Sequence, residues 1–141
     1  MSDHPEVAVG AVVQRNDELL IVRRAHSPST GHWSLPGGRV HLDETLRDAA
    51  VRETREETGI DVVVDHFLGW VERIGSDSDP YHFVILDFAC VPLDPQQPVL
   101  AADDATEARW VALDTLEGLS LVPGLLAFLQ QTHVLPSPET R

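Results

Sequence analysis

The order of strand-like and helix-like segments predicts an α/β fold, an α/β/α sandwich in which a mixed β-sheet is covered by helices on both faces. Three observations carry this expectation. Two Val/Leu/Ile-rich runs open the chain, a well-capped helical stretch follows, and two longer β-branched or apolar runs precede a short strand and a terminal helix. With 141 residues the chain is long enough for one domain with its own core and too short for two sizeable ones, so residues 1–141 are read as a single domain.

Residues 7–15 and 19–24 flank Asn16, Asp17 and Glu18, a spacing expected of a β-hairpin. Ser27, Pro28, Ser29 and Gly31 mark a loop over residues 26–32, before the short segment Trp33-Ser34-Leu35-Pro36-Gly37-Gly38. Asp43 or Thr45 can cap a helix whose first turn carries Asp48 and which ends at Gly59, a natural left-handed stop. Residues 60–74 are expected to be mostly strand and to pair with residues 81–91, whose nearly continuous apolar sequence reads as a strand buried on both faces. Residues 92–105, with several prolines and acids, read as a loop, and residues 109–113 as a short strand. A last helix spans about residues 123–133, and about 135–141 form a flexible tail.

Composition narrows the function. Ten cations face twenty-three acids, a formal net charge of -13, so duplex nucleic acid is repelled. All ten cations are arginines, and the lack of lysine excludes a Schiff base, a Walker-type phosphate lysine and a lysine general base. Apolar runs fall far short of the ~18–20 residues needed to cross a bilayer, and residues 1–10 lack a basic-then-apolar leader, so no membrane association is expected. The single cysteine, Cys90, can form no internal disulfide, which fits a reducing cytoplasm.

The helix before Gly59 carries the chemistry. At about 100° per residue, Glu53 and Glu57 each lie ~20° from Leu46 around the axis and Glu56 ~80° away, in the sector that Ala49 and Ala50 share. The inward stripe therefore turns from apolar to acidic in its last two turns. Intrahelical pairs such as Arg52 with Glu56 explain the exposed side and not the inward acids. Three glutamates near a helix C-terminus also oppose the macrodipole, a conflict that a divalent cation removes. All-oxygen ligation selects a hard ion, Mg²⁺ or Mn²⁺, shared with substrate phosphates. Glu44 belongs to the loop after Gly38, from which it either turns toward the cluster or serves as a favourable anion at the helix N-terminus.

Gly38, five residues, Glu44, seven residues, then Arg52-Glu53-Thr54-Arg55-Glu56-Glu57-Thr58-Gly59-Ile60 resembles the Nudix box, G-x5-E-x7-R-E-U-x-E-E-x-G-U with U a bulky aliphatic residue. Only Thr54 departs, at a packing position. The resemblance implies a Nudix hydrolase domain with its box at 38–60 and an α/β/α sandwich fold. It also implies hydrolysis of a nucleoside diphosphate linked to another moiety, such as ADP-ribose or a nucleotide sugar. An alternative within the class is a house-cleaning pyrophosphatase of ordinary or oxidised nucleoside triphosphates, and a third is a hydrolase of dinucleoside polyphosphates. A non-catalytic nucleotide sensor is the rival from outside it. Under this resemblance Glu53, Glu56 and Glu57 bind Mg²⁺ or Mn²⁺, with Gly38 assigned to the metal and substrate site. Arg52 orients the glutamates, and Glu44 assists the metal or its water. The expected partner is a small nucleoside diphosphate derivative, and the assembly a monomer or homodimer.

The box leaves the general base open, with Glu72, Asp103, Asp104 and Glu107 as candidates beside their reading as solvated acids. One of Arg23 and Arg24 is expected to bind a distal phosphate while the other faces solvent. Trp33, ahead of Tyr81 and Phe83, is the candidate to stack a base, against core packing as its competing role. His26, His32 and His41 match no zinc spacing and read as loop residues. Asp87, a charge within an apolar strand, requires a partner or a shifted pKa that sequence does not identify.

Overall fold

A computed structural model of the protein describes residues 3–136. In chain order its elements are β1 (Glu6–Arg15), β2 (Glu18–Arg24), β3 (Trp33–Ser34), β4 (Gly37–Arg39), α1 (Leu46–Thr58), β5 (Val62–Ser76), β6 (Asp79–Pro92), β7 (Ala105–Ala112), a 3-10 turn (Leu113–Gly118) and α2 (Leu125–Gln131). The strands form a mixed sheet with the path β3-β2-β1-β6-β5, in which β4 also pairs with β1 and β7 with β2.

The hairpin expected of β1 and β2 closes only at its turn. The two strands pair at Gln14 with Leu19 and Arg15 with Glu18, then part company. β1 continues parallel to β6 and antiparallel to β4, while β2 runs antiparallel to β3 and β7. Backbone hydrogen-bonding groups on each strand are thus satisfied by new neighbours rather than by the hairpin partner. β5 and β6 pair antiparallel over most of their length, with three irregularities in register.

Residues 8–13 of β1 are buried on both faces, so alternate side chains enter different cores. Val9, Ala11 and Val13 meet Ala49 and Ala50 of α1, with Ile60, Val62, Phe88 and Cys90. Val12 meets Trp33, Leu125, Phe128 and Leu129 on the α2 side. Helices on opposite faces of the sheet give the expected sandwich. The first half of β6 is only half-buried, contrary to the expectation of a strand buried throughout, because Phe83 and Ile85 border an open cavity. Burial on this strand is concentrated at Asp87, Phe88, Cys90 and Pro92.

α1 begins and ends as its sequence dictates. Thr45, extended at φ -72° and ψ 157°, accepts the Asp48 N–H through its hydroxyl at 3.1 Å. Gly59 adopts φ 75° and donates its N–H to the Arg55 carbonyl at 2.9 Å. Thr54, where an aliphatic was expected, is fully buried and donates to the Ala50 carbonyl at 2.8 Å, so its hydroxyl costs the core no unsatisfied group.

Leu135 is buried in the α2-side core, and its N–H donates to the Leu129 carbonyl at 3.0 Å. The expected tail therefore begins later than residue 135, and residues 137–141 lie outside the described residues. Among the described residues, no helix is long and apolar enough to cross a membrane.

Candidate active site

The site grows from two backbone segments that α1 brings together. Gly37 and Gly38 in β4 sit against the C-terminal half of α1, where Glu53 and Glu57 are 8% and 5% exposed. The Gly37 N–H donates to Glu57 Oε1 at 2.9 Å. A side chain at Gly38 would run into the Glu53 carboxylate and displace it, so glycine preserves this arrangement.

Arg52 organises the acids around it. Its Nε and Nη2 form a fork on Glu44 at 2.6 and 2.9 Å, and Nη1 donates to Glu53 Oε1 at 2.7 Å and to Glu56 Oε2 at 3.1 Å. Nη2 also donates to the Arg39 carbonyl at 3.0 Å, which ties the network to β4. One guanidinium therefore serves three carboxylates, a task its planar fork suits. The Arg52 hydrogen bonds hold Glu44 down to a pKa of about 2. Burial pushes Glu53 upward despite Arg52. Burial also pushes Glu57 up to about 8, with only the Gly37 N–H and the charge of Arg24 opposing it.

Of these acids Glu53 and Glu57 line a cavity of about 710 Å³. Arg24, His26, Arg39, His41 and Asp104 complete its charged end. The rest of the lining includes Leu35, Val71, Ile85, Leu125 and Phe128, with Glu72, Arg73 and Asp87 the charges among them. Asp87 is 3% exposed, and burial pushes its pKa up to about 7, opposed only by the charge of Arg73. A side chain at Gly10 would run into the Asp87 carboxylate, so Gly10 provides the space that it occupies.

A family model described as NUDIX domain matches residues 4–131. The chain belongs to the Nudix family. It is 35% identical over 118 residues to the ADP-ribose pyrophosphatase of Methanocaldococcus jannaschii, covering 83% of this chain and 68% of that protein. It is 31% identical over 112 residues to the phosphatase NudJ of Escherichia coli, covering 79% and 71%. A MutT NUDIX hydrolase from Burkholderia pseudomallei superposes with a TM-score of 0.76 at 26% identity, over 92% of this chain and 98% of that one. The protein is thus a Nudix hydrolase, an enzyme class that generally requires a divalent cation.

The donors suit such an ion: three glutamates on successive turns of one Nudix helix, two of them buried and raised in pKa, present only hard oxygen ligands. Among the described residues no three acidic, histidine or cysteine side chains are already gathered at ligand spacing. Arg52 instead holds Glu53 and Glu56 apart from Glu57, limiting the repulsion among them. Glu56 is the most exposed of these acids and lies outside the cavity lining.

Other sequence candidates separate by position. Arg24 reaches the cavity, whereas Arg23 lies outside its lining and donates to the Gly31 carbonyl and to Glu107. Trp33 does not line the cavity: it is 6% exposed in the α2-side core, with the Arg109 guanidinium 4.7 Å from its ring centroid. Its short strand is pinned between β2 and Leu121, which turns the ring inward. Phe83 is the candidate aromatic that does line the cavity, while Tyr81 packs near it at a centroid distance of 5.9 Å. Asp104 and Glu72 border the cavity, although Glu72 bonds His82 at 2.6 Å. Glu107 is occupied by Arg23 and Arg109 and lies outside the lining, as does Asp103. His26 and His41 line the cavity and His32 does not. Cys90 is buried, its thiol pushed up to about 12. Arg73, Leu125 and Phe128 had no signal in the sequence; distant elements carry them to the cavity.

Proposed function

We propose that the protein is a divalent-metal-dependent pyrophosphohydrolase acting on a nucleoside diphosphate linked to a second moiety, with ADP-ribose as its substrate. Glu53, Glu56 and Glu57 are the carboxylates that would hold Mg²⁺ or Mn²⁺. The observation that carries the reading is the buried Glu57 carboxylate, aimed at the Gly37 N–H within the charged end of the cavity. A buried acid with one backbone donor suits a cation. The relative named as an ADP-ribose pyrophosphatase supports the choice of substrate.

When bound, the ion would polarise phosphoryl oxygens and lower the pKa of a bound water. The chain's own groups do the rest. Gly37 orients Glu57, and Arg52 fixes Glu44, Glu53 and Glu56 relative to β4. Arg24 supplies positive charge for the phosphate farther from the carboxylates, and Gly38 lets backbone and substrate approach Glu53 closely. Asp104, at the cavity wall beside His26, would accept a proton from the attacking water. We place the protein in the cytoplasm, where reducing conditions preserve the Cys90 thiol.

The test is hydrolysis of ADP-ribose with Mg²⁺ or Mn²⁺, with AMP and ribose 5-phosphate identified as products. Glu57→Gln keeps an acceptor for the Gly37 N–H and is expected to fold normally while losing on the order of 10³-fold in kcat. Unchanged turnover in that variant would remove Glu57 from the machinery. Release of pyrophosphate from nucleoside triphosphates, with ADP-ribose left intact, would reassign the substrate.

A further inference from the structure

Asp87 is a buried charge that the reaction just proposed does not use. It lies on β6, and its register partner across β1 is Gly10, which in turn pairs with Gly37 of β4. Asp87 and Gly37 thus flank one residue, their backbones roughly 10 Å apart by strand spacing. Gly37 holds Glu57 on one side of Gly10 and Asp87 stands on the other, so both carboxylates open on the same cavity.

Among the described residues no donor hydrogen-bonds the Asp87 side chain. The nearest opposite charge, Arg73, donates through Nη2 to the Pro123 carbonyl at 2.7 Å and acts on Asp87 only through its charge. A carboxylate this buried without a donor is costly. The chain nonetheless leaves space for it at Gly10, where any side chain would displace it. A sugar, with several hydroxyls, would call for several polar partners. Around Asp87 the lining offers one guanidinium committed to Pro123 and Glu72, itself bonded to His82, among Leu35, Ile85 and Phe128, a setting for a flat heterocycle with one donor edge.

We propose that Asp87 is a specificity-determining residue of this cavity, its carboxylate accepting a hydrogen bond from the exocyclic amino group of the substrate's nucleobase. The proposal rests on the nucleotide reading given above. Replacing that amino group by a carbonyl sets two acceptors against each other once Asp87 is ionised, so at pH 8.5 a hypoxanthine nucleotide is rejected where an adenine nucleotide is held.

Calorimetric titration with AMP and with inosine monophosphate, in Mg²⁺ at pH 8.5, tests this directly. The wild type is expected to bind AMP at least about tenfold more tightly, the worth of one hydrogen bond to a charged group. Asp87→Ala should bring the ratio near one, and Asp87→Asn should strengthen inosine monophosphate binding because its amide can donate to the carbonyl. With ADP-ribose, Asp87→Ala should raise KM more than it lowers kcat. A ratio unchanged by both substitutions overturns the proposal, as does a wild type indifferent to the base. Equal weakening of both nucleotides in Asp87→Ala also overturns it, because the contact would then lie on the sugar or phosphate. If ADP-ribose is not cleaved while the AMP preference and its loss in Asp87→Ala persist, the reaction assignment fails and the base subsite stands.

Discussion

Two carboxylates are treated in opposite ways: the partly buried Glu44, beside the charged end of the cavity, and the buried Asp87 that lines it. Glu44, with the Arg52 fork on it, is held at a pKa of about 2, whereas Asp87, with Arg73 acting only through its charge, is pushed up to about 7. Glu44 is only partly buried and receives a fork of donors, whereas Asp87 is deeply buried and receives none among the described residues, so burial and the supply of donors push the two apart together. At the charged end the protein satisfies its own acids through one arginine and one backbone N–H. At Asp87 it leaves an acceptor for another molecule to satisfy. Glu57 has a single donor, the Gly37 N–H, and burial still pushes its pKa up to about 8, as suits a group that is to meet a cation.

Breaking the charged end should have the largest effect on the fold. Arg52→Ala leaves Glu44, Glu53 and Glu56 without their shared partner and should cost about 2–4 kcal/mol in urea unfolding at neutral pH. Arg52→Lys should recover only part of this, since an ammonium cannot fork onto Glu44. The Glu44 contribution is present above its unfolded value of 4.5 and is lost as pH falls toward 2, so the gap between wild type and Arg52→Ala should narrow across that window. A gap independent of pH there would mean that the fork does not govern Glu44.

Relieving Asp87 should act in the other direction. Asp87 titrates near 3.8 unfolded and about 7 folded, so the folded state holds its proton more tightly and loses stability as pH rises between those values. Asp87→Asn should therefore match the wild type near pH 3.5 and exceed it by about 1–3 kcal/mol at pH 8, measured by denaturation at each pH. A less stable Asn variant at pH 8 would show that Asp87 is paired within the protein, and the contrast between the two carboxylates would collapse. The smallest effect is expected away from both. Thr45→Ala removes the α1 cap and should cost about 1 kcal/mol while leaving kcat unchanged, which would separate helix stability from the arrangement of the acids at its other end.

Much of this was legible in the chain because it is local. The cap at Thr45, the stop at Gly59 and the inward placement of Glu53 and Glu57 follow from helical period and backbone conformation, whereas the close approach at Gly37 and Gly38 comes from β1 and α1. Most strands were found near their observed limits for the same reason. The fate of β1 and β2 was not legible, since a short polar connection specifies a turn but not how far the strands remain paired. Trp33 illustrates the difficulty for single aromatics: its neighbours in sequence are a loop and a glycine pair, and its neighbours in space are α2 and Arg109.

By itself, then, the sequence determined the α/β alternation, the acid-bearing helix and the spacing that marks a Nudix box, because each depends on residues within a few turns of one another. Tertiary structure alone decided that Arg24 and not Arg23 faces the cavity, that Arg52 joins Glu44 to Glu53 and Glu56, and that Asp87 stands over Gly10. Those outcomes depend on strand register and on which donors distant segments deliver. Both are settled by the packing of α1 and α2 on opposite faces of the sheet, through contacts between residues tens of positions apart.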